Sequence, residues 1–137
     1  MMITYAQATR VHHSIAAAAQ ATSSVVTVAI CDAAGDPVLI ARPDGAMGFT
    51  ADIALAKART AARFNNTTAA LEELWSDRPV YAHSLIAQGG WFVGRGGVPL
   101  RVDGHTIGAV GVSGGDPERE AQIAQLAADE LDEQVSK

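Results

Sequence analysis

An α+β domain with an antiparallel sheet is what this sequence predicts, on three observations. Short β-branched runs come in pairs joined by tight turns, which gives hairpins and therefore antiparallel pairing. Segments with helical periodicity stand before, between and after those pairs. The chain has 137 residues, 48% of them apolar, enough for one core without disulfide staples. It carries no linker, repeat or low-complexity tract, so a single domain over 1–137 follows.

The elements follow in order. Thr4-Tyr5-Ala6-Gln7 has the form of a capping box, and a helix over about 5–21 follows it. Residues 25–31 (VVTVAIC) read as a buried strand, 32–37 (DAAGDP) as a turn, and 38–42 as the returning strand. After the loop 43–48 (PDGAMG), Thr50 caps a long alanine-rich helix to about residue 64. Asn65-Asn66 interrupts it, and Thr67 or Thr68 starts a shorter helix through Trp75. Residues 76–90 read as irregular, with Pro79 and Gly89-Gly90 as breakers. Three strands follow, over 91–93, 98–102 and 105–112, the last two joined by the hairpin signal Asp103-Gly104. Asp116-Pro117 then opens a C-terminal helix as N-cap and first residue.

Bulk composition excludes several functions. A net charge of -5 argues against nucleic-acid and anionic-membrane partners. The lone Cys31 excludes a disulfide framework or a cysteine-rich metal site. No apolar run is long enough to span a bilayer, and the N-terminus lacks the pattern of a secretory leader. A cytoplasmic protein is the expectation.

Three places set chemistry against pattern. In the second helix, Ile53, Ala56, Thr60, Ala61 and Phe64 form the apolar stripe, and Lys57 falls inside it. Arg59, Arg63 and Leu55 fall outside. A lysine on an inward face is costly to desolvate unless paired or wet. Lys57 is therefore either a structural ion pair or a pocket lysine that binds an anion or serves as a base. Two glycine-rich stretches, 94–100 (GRGGVPL) and 111–117 (GVSGGDP), serve either turns and packing or close approach to a ligand. The second exposes helix N-terminal N–H groups, although Asp116, Glu118 and Glu120 already bring negative charge there. In the first helix, Ala8, Val11, Ile15, Ala18 and Ala19 form the core stripe. His12 lies at its edge and can face a rim pocket, while His13 projects away, since neighbours sit about 100° apart. His83 and His105 carry no motif spacing, and nothing here has the offsets of a closed zinc site.

Residues 28–46 (VAICDAAGDPVLIARPDGA), 57–64 (KARTAARF) and 96–115 (GGVPLRVDGHTIGAVGVSGG) resemble the GlcG/HbpS family. That family also includes the C-terminal domain of PduO-type corrinoid adenosyltransferases. The resemblance covers nearly the whole chain and implies a profilin-like, three-layer α/β/α fold with a five-stranded antiparallel sheet of order 2-1-5-4-3. It implies homo-oligomers, from dimer to octamer. Some relatives bind haem, so His13 or His12 becomes the candidate iron ligand, on a surface shared between subunits. Ser113 would lie near the family's glycine-rich pocket with Lys57 and Arg95. Pro43 stands where the family's R-M-D-G-A run has methionine, and Glu120 where aspartate is common. The segment 75–84 (WSDRPVYAHS) is not a family signature and is expected at the pocket mouth, through Trp75, Arg78, Tyr81 and His83.

Three functions stay open at this stage. The first is an oligomer holding haem or a related tetrapyrrole through His12 or His13, with Arg42, Arg59, Arg63 or Arg95 on propionates. The second is an enzyme acting on a small organic acid or aromatic metabolite. Lys57 would hold the anion or act as base, Arg95 would clamp a carboxylate, and Ser113-Gly114-Gly115, with Gly96 and Gly97 near, would line the site. The third is an accessory partner of another protein.

Overall fold

The computed structural model describes residues 1–136. Its elements run α1 (Tyr5–Ala21), β1 (Thr27–Asp32), β2 (Pro37–Ala41), α2 (Thr50–Phe64), α3 (Thr68–Leu74), α4 (Pro79–Ile86), β3 (Gly97–Val102), β4 (His105–Ser113) and α5 (Pro117–Ser136). The caps explain several of these boundaries. Thr4 Oγ1 accepts from the Gln7 N–H at 3.1 Å while Gln7 Oε1 accepts from the Thr4 N–H at 2.9 Å, closing the box at α1. Asp116 Oδ1 accepts from the N–H groups of Glu118 and Arg119 at the head of α5. Thr50 behaves otherwise. Its hydroxyl bonds the Met47 carbonyl and Thr27 Oγ1, so α2 starts after Phe49 without a side-chain cap.

The sheet is antiparallel throughout, in the order β2-β1-β4-β3. Strand alternation gives it two unlike faces. Val28, Ile30, Val110 and Val112 pack with Val11 and Ile15 of α1 and Ile123 and Leu131 of α5. Fully buried side chains of this size each contribute about 1.5–3 kcal/mol. The opposite face presents small residues, Cys31 and Ala109, to Ala58, Ala61 and Ala62 of α2. At Gly111 the contact is closer still: a Cβ there would lie 1.9 Å from the Ala54 carbonyl oxygen. Such proximity puts the smallest residues inward and shifts the buried stripe of α2. Ala54, Ala58 and Ala62 are buried, whereas Ile53 and Phe64 are half-buried and Leu55 packs partly against the Cys31 cluster.

Two expectations need correction. Among the described residues the sheet has four strands, not five, because residues 91–93 form no strand. Gly89 and Gly90, both at positive φ, turn the chain there. The Phe92 N–H then donates to Thr60 Oγ1 of α2 at 2.9 Å instead of to a neighbouring strand. Trp91 stacks edge-on against Phe64 and lies under Arg63. The four strands that form keep the expected order with its missing edge member removed. The second correction concerns 76–90, which contains α4. Pro79 sits at the first position of that helix, where its missing N–H costs nothing, so it starts the helix. No residue of α4 is buried. No helix among the described residues is long and apolar enough to cross a membrane.

Candidate functional site

The two larger cavities beside the residues that lead into β1 are both lined by Val25, as is a smaller one of about 180 Å³ between them and α5. The first, of about 380 Å³, has Lys57 and Glu120 at its floor. Lys57 reaches it from the inward face of α2, and Glu120 from the first turn of α5. Both are almost fully buried, 5% and 4% exposed. Lys57 Nζ donates to the Val112 carbonyl at 2.9 Å and pairs with Glu120 Oε2 at 3.4 Å. The other carboxylate oxygen accepts from the N–H groups of Gly114 and Gly115 at 3.3 and 3.2 Å. The donors that an outside anion would use are therefore taken by Glu120 itself. Burial lowers the Lys57 pKa, and the Glu120 charge opposes that shift.

The walls of this cavity are largely apolar, from Met47, Phe49, Ile53, Phe92 and Pro117. Arg95 stands at its rim, held by Glu72 at 3.3 Å and approached by Glu118 at 4.0 Å. Ser113 lines it, buried at the end of β4. Gly96 and Gly97 line neither cavity. A Cβ on Gly96 would come within 3.1 Å of Lys57 Nζ, and one on Gly97 within 2.5 Å of the Lys57 carbonyl. Their bareness makes room for the lysine.

The second cavity, a groove of about 630 Å³, runs between α1 and the end of β2. His12, Ala16 and Ala19 form one side, Val25, Val26 and Val28 the floor, and Ala41, Arg42, Pro43 and Asp44 the far edge. His12 is half-buried, and burial, then the charge of His13, lowers its pKa. His13 is exposed, its ring centroid 5.6 Å from that of His12. Arg42 is exposed and makes a 3.3 Å hydrogen bond to the Ala46 carbonyl. Arg59 and Arg63 line neither cavity; Arg59 bonds the Gly35 carbonyl.

The segment 75–84 is not at either mouth. Trp75 is buried, stacked between Phe64 and Tyr81, and Arg78 lies over the Tyr81 ring at 4.5 Å. Those ring contacts tie the segment to the end of α2 instead. In the sequence Lys57 stands out by its place in the apolar stripe, and Glu120 only as local charge and as a departure from the family's aspartate. Their pairing joins residues 63 apart in sequence, with no periodicity to reveal it. Phe92 was missed as a cavity wall because 91–93 read as strand.

Fold and cavities together define a small antiparallel α+β domain in which the Lys57 cavity and the His12 groove are both ligand-sized, within the usual range of about 300–1,000 Å³. The chain belongs to the HbpS-like family: the family model described as haem degrading protein HbpS-like matches residues 3–129. Protein GlcG of Escherichia coli K12 is 36% identical over 96 residues, 69% of each chain. The crystal structure of a Streptomyces reticuli HbpS double mutant superposes with a TM-score of 0.86 at 28% identity, covering 96% of this chain and 88% of that one. The crystal structure of a PduOC–haem complex superposes with a TM-score of 0.84 at 28% identity, covering 94% of both.

Proposed function

We propose that this chain is a haem-binding protein, with the tetrapyrrole in the groove beside α1 and His12 as the iron ligand. The observation that carries the reading is the placement of His12, half-buried at the edge of an apolar groove whose opposite edge bears Arg42. Burial favours the neutral imidazole, the form that ligates a metal. Val25, Val26, Val28 and Ala19 offer an apolar seat, and the exposed Arg42 guanidinium can turn to a propionate. Bound haem would supply the iron; the chain supplies the axial imidazole, the apolar wall and the cation. The relatives support the same ligand, one through its solved haem complex. We extend the reading to a homo-oligomer, in which the exposed His13 lies at a contact between copies.

Haemin titration followed by the Soret band tests the ligand. A saturable, stoichiometric shift lost in His12→Ala and kept in His13→Ala is expected. Loss in His13→Ala alone would move the iron to the outer histidine. An unsaturable shift common to all three proteins would end the haem reading. Light scattering at micromolar concentration tests the oligomer, and a monomer would refute it.

A further inference from the structure

We propose that the cavity over Lys57 is a second, separate site, taking a small neutral aldehyde or ketone with an apolar body and joining its carbonyl carbon to the Lys57 amine as a Schiff base. The charges at the cavity are already matched. Lys57 faces Glu120, and Arg95 faces Glu72 and Glu118, so nothing there calls for an anion. Met47, Phe49, Ile53 and Phe92 ask instead for an apolar body. An organic acid, the ligand that a lone inward lysine suggests, would meet a lysine already neutralised.

The floor is fitted to a carbonyl group. An ammonium has three N–H donors. Among the described residues Lys57 has two acceptors, Val112 O and Glu120 Oε2, which leaves one donor on an amine that lines the cavity. A carbonyl offers an oxygen to that donor and an electrophilic carbon to the amine. Desolvated lysines are the usual partners in such condensations. Burial presses Lys57 the same way, toward the free amine. Glu120 is held in place by the Gly114 and Gly115 N–H groups, next to the nitrogen that must lose a proton.

The step balances within the site. Lys57 gives one proton to Glu120, and the nitrogen lone pair forms a bond to the carbonyl carbon. A second nitrogen-bound proton moves to the oxygen, giving a carbinolamine. Glu120 returns its proton to that hydroxyl, which leaves as water as the C=N bond forms. Ammonium and carbonyl have become iminium and water, with no oxidant or reductant.

Only two lysines occur in the chain, Lys57 and Lys137, so an adduct is readily assigned. The intact protein is incubated with benzaldehyde, reduced with borohydride, weighed and mapped by peptide. One benzyl group on Lys57, formed faster than on Lys137, is expected, since a lowered pKa leaves more of the amine free. Modification of Lys137 or the N-terminus with Lys57 untouched would overturn the proposal. Ala46→Trp, on an exposed loop that lines the mouth, keeps Lys57 and its partners in place. It should slow labelling of Lys57 by about tenfold, a cost of about 1.4 kcal/mol in access, and leave Lys137 unchanged. Equal labelling in that variant would show reaction outside the cavity and also overturn it. 4-Carboxybenzaldehyde, the same shape with a carboxylate, should label more slowly than benzaldehyde. Faster labelling would refute the neutral ligand. Ala46 does not line the His12 groove, and its carbonyl, which accepts from Arg42, is backbone kept in Ala46→Trp, so haem titration of that variant should match the parent.

Discussion

The two cavities meet at Val25 yet are built on opposite principles. Over Lys57 every charge has an internal partner: ammonium with carboxylate, carboxylate with two backbone N–H groups, rim guanidinium with two acids. In the His12 groove the polar groups stand at the edges of an apolar floor, half-buried or exposed. The first arrangement ties ligand chemistry to folding, because its groups are buried and interlocked. The second separates them, because its groups sit where water already solvates them. Substitution should therefore cost stability at one cavity and ligand at the other.

The largest effect expected is at Lys57→Met. Removing the ammonium leaves the Glu120 carboxylate buried against two N–H groups, and breaking a buried pair this way costs about 3–5 kcal/mol. Urea unfolding measures it, and a loss below about 1 kcal/mol would mean that the pair is wet and the contrast false. Next comes Gly111→Ala. The added methyl collides with the Ala54 carbonyl and must push α2, which carries Lys57, off the sheet. Overpacking of this kind costs about 1–3 kcal/mol or more. His12→Ala should change stability by less than about 1 kcal/mol while abolishing the saturable Soret shift. If it unfolds the protein, the groove is a structural element like its neighbour.

Both halves of that contrast were partly legible in the chain. Lys57 declared itself because a lysine interrupts an apolar helical face, and His12 because it borders the stripe Ala8-Val11-Ile15. Periodicity reports which way a side chain faces within its own element. It does not report what meets it from another. Glu120, Phe92 and the Arg42 edge come from distant segments, and no local rule pairs them. Within α2, Lys57, Thr60 and Ala61 are buried as expected, while Ile53 and Phe64 are not, for a related reason. Side-chain size predicted Ile53 inward, whereas the absent side chain of Gly111, on another strand, brings the helix so close that alanines win. Strand 91–93 failed where its backbone found a hydroxyl on α2 rather than a neighbouring strand, and α4 was hidden because Pro79 begins a helix as readily as it ends one.

The smallest effects sharpen the comparison within the groove. His12 titrates below its ordinary 6.5, chiefly through burial and secondarily through the His13 charge. Between that lowered midpoint and 6.5 the unfolded chain holds a proton that the folded chain does not. Stability therefore rises with pH across this window, and the contribution is lost as pH falls through it. His13→Ala removes the secondary cause alone. The His12 midpoint, followed by NMR through its ring protons, should move up without reaching 6.5, because the burial remains. Haem should still bind, and acid should weaken it at a slightly higher pH than in the parent. A midpoint that rises fully to 6.5 would mean that the groove leaves His12 as wet as any surface imidazole. The open cavity would then lack the one property that distinguishes its histidine from the exposed His13, His83 and His105.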